Sequence, residues 1–379
     1  MTQRIAIVDF VQTKHGDRLP ENVQELTFGV VRKLLDRVQM DRSEIGTIIS
    51  SSADYWQGIS CSNSYYYDAA GGNLKSGSKV TEDSVFSLIY GMMRILSGHY
   101  RTALIIGVTK CSECPSEHTL TNLAADPFFQ RPIGLNGVSA EGLQARMYME
   151  RYGVGEAAMA GVVAKNMSNA EKNPYAHRGG TLSPEQVLSS PIMAAPLRRM
   201  DVPPTSDGAC ALLLADEHTA TQLTDKPVFI HGVGWSVDHT YIGDRDLLGG
   251  ALPKAAHMAY ERADVHDPAT EIHVAEICDV TSFHEILWTE QLGFCTAGTG
   301  CRLVEEGVTA LDGRLPVNPS GGLFGANPFV ARGLLRVGEA YLQVRGDAGA
   351  HQVPGVNRAL AHGVHGLGGQ SHSVVILGN

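Results

Sequence analysis

Apolar residues fall in two rhythms that take turns along the chain. Short solid or alternating runs predict strands at residues 4–9, 46–50, 103–107 and 208–215, and spacing near 3.6 between them predicts helices at 25–38 and 86–96. The same order begins again after Lys226. Strands are expected at 227–232, 273–278 and 374–377, with helices at 251–263 and 328–344. The pattern therefore predicts an α/β chain made of one unit used twice, with the halves spanning 1–222 and 223–379 and the polar stretch 216–225 as the hinge between them.

One segment breaks the symmetry. Residues 109–204 form a long insertion in the first half, rich in Pro, Met and Tyr, with a helix expected at 140–152. An excursion of that length reads as a functional loop region or lid. The aromatic residues Trp56, Tyr65, Tyr66, Tyr67, Phe128 and Phe129 are candidates for lining a pocket.

Composition narrows the choices. The chain has 379 residues, 43% hydrophobic and 18% charged, which suits two globular cores. A net charge of −10 without a basic run argues against a nucleic-acid partner. No apolar stretch has the length of a membrane span, and Met1 to Arg4 lead straight into a strand, so the expected address is the cytoplasm without membrane attachment. Seven scattered cysteines do not suggest a disulfide framework. Cys111 and Cys114 form a lone C-x-x-C without the second pair that zinc requires, so no metal site is expected.

Several segments, in order, resemble the thiolase superfamily and its sterol-carrier-protein branch. They are Lys165-Asn166, Asn173-Pro174-Tyr175-Ala176, Ser206-Asp207-Gly208-Ala209, Glu276-Ile277-Cys278-Asp279, Gln291 to Phe294, Asn318-Pro319-Ser320-Gly321-Gly322 and Gly338-Glu339-Ala340. The resemblance implies a thiolase fold: two βαβαβαββ halves in an α-β-α-β-α layering, usually dimeric. A coenzyme A thioester would be the substrate, entering along the insertion, with no covalently bound cofactor. Gly321, Gly322, Gly368 and Gly369 are the glycines whose backbone would approach it.

The sequence departs from the family where the chemistry should be. Counting back from Ser97-Gly98, the nucleophilic cysteine position falls on Thr81-Glu82-Asp83-Ser84, where there is no cysteine. Glu82 or Asp83 there suits a base, and Thr81 or Ser84 an activated nucleophile, while the same residues also suit a helix N-cap. Asn327 stands where the family has a catalytic histidine; it retains an amide N–H for an oxyanion, or it is only a turn residue before Pro328. Cys278 replaces a second histidine, either as a relocated nucleophile or proton carrier or as inert core. The segment 362–370 resembles the family's glycine-rich loop, with His362 and His365 as catalytic candidates and His372 read as structural.

Three functions follow from the resemblance. The first is carbon–carbon bond cleavage or formation beside a CoA thioester, of retro-aldol type, without an acyl-cysteine. The second is a non-catalytic subunit of a heteromer, with a thiolase-like or a small zinc-ribbon/OB-fold partner. The third is acyl transfer through Cys278.

Overall fold

The computed structural model describes residues 4–81 and 83–379. Nine strands form one mixed sheet: β1 (Ile5–Gln12), β2 (Thr47–Ser51), β3 (Ser76–Val80), β4 (Thr102–Thr109), β5 (Gly208–Asp216), β6 (Val228–Val237), β7 (Val274–Glu276), β8 (Arg358–His365) and β9 (Ser371–Gly378). Their order is β3-β2-β4-β5-β1-β6-β9-β8-β7. The strands of the two halves meet only at β1 and β6, through Ala6 against Phe229 and Ile7 against Val228. That short junction joins two half-sheets around a shared helical layer.

The seven longest helices among the described residues position the rest: α1 (Val23–Arg37), α2 (Ser84–Leu96), α3 (Gly137–Tyr152), α4 (Ala157–Glu171), α5 (Leu252–Ala263), α6 (Ser282–Gln291) and α7 (Arg332–Arg345). Helix α1 starts where Asn22 and Glu25 form a reciprocal capping box, and it buries Leu26, Val30, Val31, Leu34 and Leu35 on the outer face of the first half-sheet. Helix α5 covers the second half-sheet in the same way. Helices α2 and α7 lie between the half-sheets and contribute Val85, Leu88, Ile89, Leu334, Val337 and Tyr341 to one central core. The layering is the expected α-β-α-β-α. Strands β4, β5 and β9 are buried along their whole length, which explains their solid apolar runs.

Two expectations need correction. Where a polar hinge was expected, Glu217–Leu223 is a helix capped by Asp216, whose Oδ1 accepts from Thr219 N at 2.8 Å. In the second half the strand equivalent to β3 shrinks to a single parallel bridge between Ala275 and Val317.

The segments that carried the family resemblance meet in a buried polar framework. Arg336 Nη1 lies 2.7 Å from Glu276 Oε2, and Ser320 donates to the same oxygen at 2.7 Å. Asn173 donates to Glu339, Asn166 to both Asp279 and Glu285, and Lys165 pairs with Glu285 at 2.8 Å. These contacts link α4 of the insertion to α6 and α7 of the second half. Removing one partner of a buried, bonded charge pair costs roughly 3–5 kcal/mol, so this framework holds the insertion in place.

Candidate active site

Helices α2 and α7 begin side by side, and their N-termini frame a narrow recess lined by Ser52, Thr81, Asp83, Ser84, Arg332 and His365. Asp83 caps α2: its Oδ1 accepts from Val85 N at 2.7 Å and Phe86 N at 3.2 Å, and its Oδ2 accepts the Ser373 hydroxyl at 2.8 Å. A side chain on Gly363 would place a Cβ 2.0 Å from Asp83 Oδ1, so only glycine admits the carboxylate here. Ser84 Oγ accepts from Leu334 N at 2.7 Å and ties the two helices together. Glu82 lies outside the described residues.

Arg332 was not a candidate in the sequence, and it lines this recess. It is only 8% exposed, donates to Val364 O at 3.0 Å and lies 4.8 Å over the Phe329 ring, which itself stacks on Trp56. It forms no ion pair with a described carboxylate, although Glu117 and Glu141 lie near enough to feel its charge. A buried guanidinium at a helix N-terminus sits at the positive end of the backbone dipole, the costliest end for a cation. The first N–H groups of α2 are taken by the Asp83 carboxylate, so Arg332 and the start of α7 are what the recess offers to an anion or a developing oxyanion. An arginine placed directly after the apolar run 328–331 was the available sequence signal.

The histidines separate. His365 ends β8 and lines the recess. His362 does not lie in a loop: it sits inside β8, fully buried, with its Nε2 2.9 Å from His372 Nδ1. His372 Nε2 lies 2.9 Å from Gly369 O and must donate to it, so His372 Nδ1 accepts and His362 Nε2 carries the proton. This leaves His362 Nδ1 bare and without a partner. Burial, and then the charges of His372 and Arg332, hold His362 well below its ordinary pKa; burial brings His372 down to about 3. His362 is a neutral core residue, which corrects its expected place in an open loop.

The remaining candidates disperse. Cys278 is fully buried beneath Trp288, which donates to its carbonyl at 3.1 Å, and burial pushes its thiol up to about 12. Burial and the raised thiol both argue against a relocated nucleophile at Cys278. Asn327 is tied to the 203–206 segment, donating its side-chain N–H to Pro203 O and its backbone N–H to Ser206 Oγ, and it does not line the recess. Gly321 and Gly322 are needed for packing: a Cβ on the first would strike Ala170, and on the second the Asp279 carboxylate. Gly368 lies against Gln144 of α3, and Gly369 against Trp288 and His372, so this glycine turn seats the insertion helix. Of the aromatic residues, Trp56 and Tyr66 are buried while Tyr65, Phe128 and Phe129 are exposed; Tyr65 and Tyr66 border one surface cleft with Lys110 and Glu113, and none of the six lines the recess.

Two half-sheets around a shared helical layer, with a polar recess where the central helices begin, define the class of α/β chain. The family model for "Thiolase C-terminal domain-like" matches residues 234–379. An acetyl-CoA acetyltransferase of Methanothermobacter thermautotrophicus is 34% identical over 282 residues, covering 74% of this chain and 73% of that protein. Sterol carrier protein 2 of Oryctolagus cuniculus is 34% identical over 236 residues, 60% of this chain and 43% of that protein. A solved Ltp2-ChsH2(DUF35) aldolase superposes with a TM-score of 0.85 at 21% identity, covering 99% of this chain and 97% of that one. The chain belongs to the thiolase superfamily, in its branch related to sterol carrier protein 2. No helix among the described residues is long and apolar enough to cross a membrane.

Proposed function

We propose that this protein cleaves or forms a carbon–carbon bond next to a coenzyme A thioester, in retro-aldol fashion, without an acyl-cysteine intermediate. The observation that carries the reading is Arg332, a buried cation that forms no ion pair with a described carboxylate, at the start of α7 beside the start of α2. Such a group stabilises the enolate oxygen that forms when the Cα–Cβ bond breaks. In that step a base takes the proton of the β-hydroxyl, the β-carbon leaves as a carbonyl compound, and the bonding electron pair moves into the thioester enolate. His365 is the base, and Asp83, bound to the α2 N-terminus and Ser373, keeps the recess wall in place.

An obligate partner is a second, compatible reading. Phe128, Ile133 and Phe129 are 80%, 79% and 74% exposed on the insertion, an apolar surface that suits a second copy or a small zinc-ribbon/OB-fold subunit. The superposed aldolase is itself a two-component assembly by name.

The test is to purify the chain alone and with whatever co-purifies from its host, and to supply a panel of β-hydroxyacyl-CoA thioesters. Release of a carbonyl compound and a shortened acyl-CoA, with no acyl adduct on any cysteine, is expected. No cleavage in either preparation, or an adduct on a cysteine, overturns the proposal.

A further inference from the structure

One motif noted in the sequence takes no part in the reading above. Cys111 and Cys114 stand three residues apart on a single 3-10 turn, closed by the Cys114 N–H donating to Cys111 O at 3.1 Å. The first and last Cα atoms of such a turn lie within about 7 Å of each other, and a disulfide spans Cα atoms about 4.4–6.8 Å apart. Both thiols are free and partly exposed. The backbone between them is pinned: Asp207 accepts from Ser112 N at 2.9 Å and from the Ser112 hydroxyl at 2.7 Å, and it pairs with Lys110 at 2.9 Å.

The two cysteines share one apolar neighbourhood. Both pack against the cluster of Ala53, Trp56, Leu120, Phe329 and Val330. Three of these, Ala53, Phe329 and Val330, also line the Arg332 recess. The Phe329 ring stacks on Trp56 at 3.5 Å and carries the Arg332 guanidinium above it at 4.8 Å. The turn is also open to small reagents, because Cys114 borders a surface cleft of about 260 Å³ with Glu113, Tyr65 and Ile59.

We propose that Cys111 and Cys114 form a reversible disulfide that acts as a redox control on the wall of the Arg332 recess. The oxidant is a hydroperoxide. One thiol loses its proton and attacks the O–O bond, which leaves a sulfenic acid and releases the other oxygen as water or an alcohol. The second thiol attacks that sulfur, forming the S–S bond and releasing water; a small dithiol reverses the step by exchange and is itself oxidised. Joined sulfurs lie about 2.05 Å apart. With the backbone of the turn pinned, the side chains must rotate to reach that distance, which changes their contacts with the aromatic pair and takes Cys114 from its hydrogen bond to Lys110 O. The Phe329 ring then loses packing on that side, and the seat beneath Arg332 shifts. Burial, followed by Asp207 and Glu113, pushes the Cys114 thiol up to about 11, so the pair is protonated at neutral pH and stays reduced until oxidant persists.

The experiment uses the full chain, with any partner that co-purifies, and hydrogen peroxide as the oxidant. After treatment the protein is unfolded in urea, alkylated with iodoacetamide and read by peptide mass spectrometry. The peptide carrying both cysteines is expected two hydrogens lighter and unlabelled, and dithiothreitol before alkylation restores both labels. The near-ultraviolet circular dichroism of the tryptophans is expected to change on closure and to return with dithiothreitol, while Cys114→Ser shows neither change. Two labels after peroxide, a sulfinic acid on either cysteine in place of the disulfide, or a closed disulfide with an unchanged tryptophan signal overturns the proposal, and these wild-type measurements decide it even where the variant does not fold. The consequence for turnover rests on the cleavage reading above: closure is expected to slow cleavage reversibly by about 10²-fold, as a displacement of about 1 Å at a reacting centre does. Equal rates in the two states overturn the control of the recess. A protein that closes as expected, with the tryptophan change, but cleaves in neither state overturns the cleavage reading alone.

Discussion

The hydroxyl of Ser84, on α2, accepts the backbone N–H of Leu334, on α7, at 2.7 Å. Both groups are buried, and the contact crosses from one half of the chain to the other. Replacing Ser84 by alanine leaves the Leu334 N–H without an acceptor, which costs about 1–3 kcal/mol in urea unfolding. If Ser84 were a nucleophile, Ser84→Ala would abolish turnover. A linking role predicts a stability loss of that size with turnover reduced less than about tenfold, and the two measurements together separate the alternatives.

Arg332 supplies the second prediction. Arg332→Met keeps most of the stacking on Phe329 and removes the charge, so cleavage is expected to fall about 10²–10³-fold, as when one oxyanion donor is lost. Binding of coenzyme A and the urea midpoint, measured on the same variant, separate this from a folding defect. A loss of less than about tenfold in a folded Arg332→Met protein contradicts the oxyanion role.

These two residues mark the boundary of what the sequence made legible. Periodicity located the sheet and the core helices because strands such as 208–215 are buried on both faces and helices such as α1 on one, which writes the fold directly into residue spacing. The motif segments were also visible, but Glu276, Asn166, Asp279 and Ser320 turn out to build the framework behind the recess. Spacing alone could not separate a polar residue that positions an element from one that faces a substrate. His362 and His365 stand three residues apart, and only the end of β8 decides that one is core and the other reaches the recess. Arg332 was overlooked because a charged residue in a helix ordinarily reads as a solvated face. Its significance comes from burial, which depends on what packs over it.

Cys278 yields a chemical prediction. With its thiol pushed up to about 12 and no surface exposure, native protein at pH 7.5 should leave it unmodified by iodoacetamide, while urea-unfolded protein labels fully. Cys61, which is exposed, serves as the internal control and should label in both states. Peptide mass spectrometry reads both sites at once. Rapid native labelling of Cys278 would mean that the core around Trp288 opens in solution.

The last prediction concerns the buried pair His351 and Glu339, whose Nε2 and Oε2 lie 3.0 Å apart between α7 and the turn that follows it. Burial by itself lowers the His351 pKa, but the hydrogen bond and charge of Glu339 outweigh it, and the net shift is upward. A histidine with a raised folded pKa contributes stability that is fully present below its unfolded value of about 6.5 and disappears as pH rises through the folded value. Glu339 is lowered, against the burial that would raise it, chiefly by the His351 hydrogen bond, so its share is present above the ordinary carboxylate range and is lost in acid. The two windows overlap from about pH 5 to 6.5, where the pair should contribute most. His351→Gln retains a hydrogen bond to the carboxylate and loses the charge. Its stability deficit, measured by urea melts, should therefore be largest near pH 6 and shrink toward pH 9, and a deficit constant across that range would mean that the pair is not ionised in the folded protein.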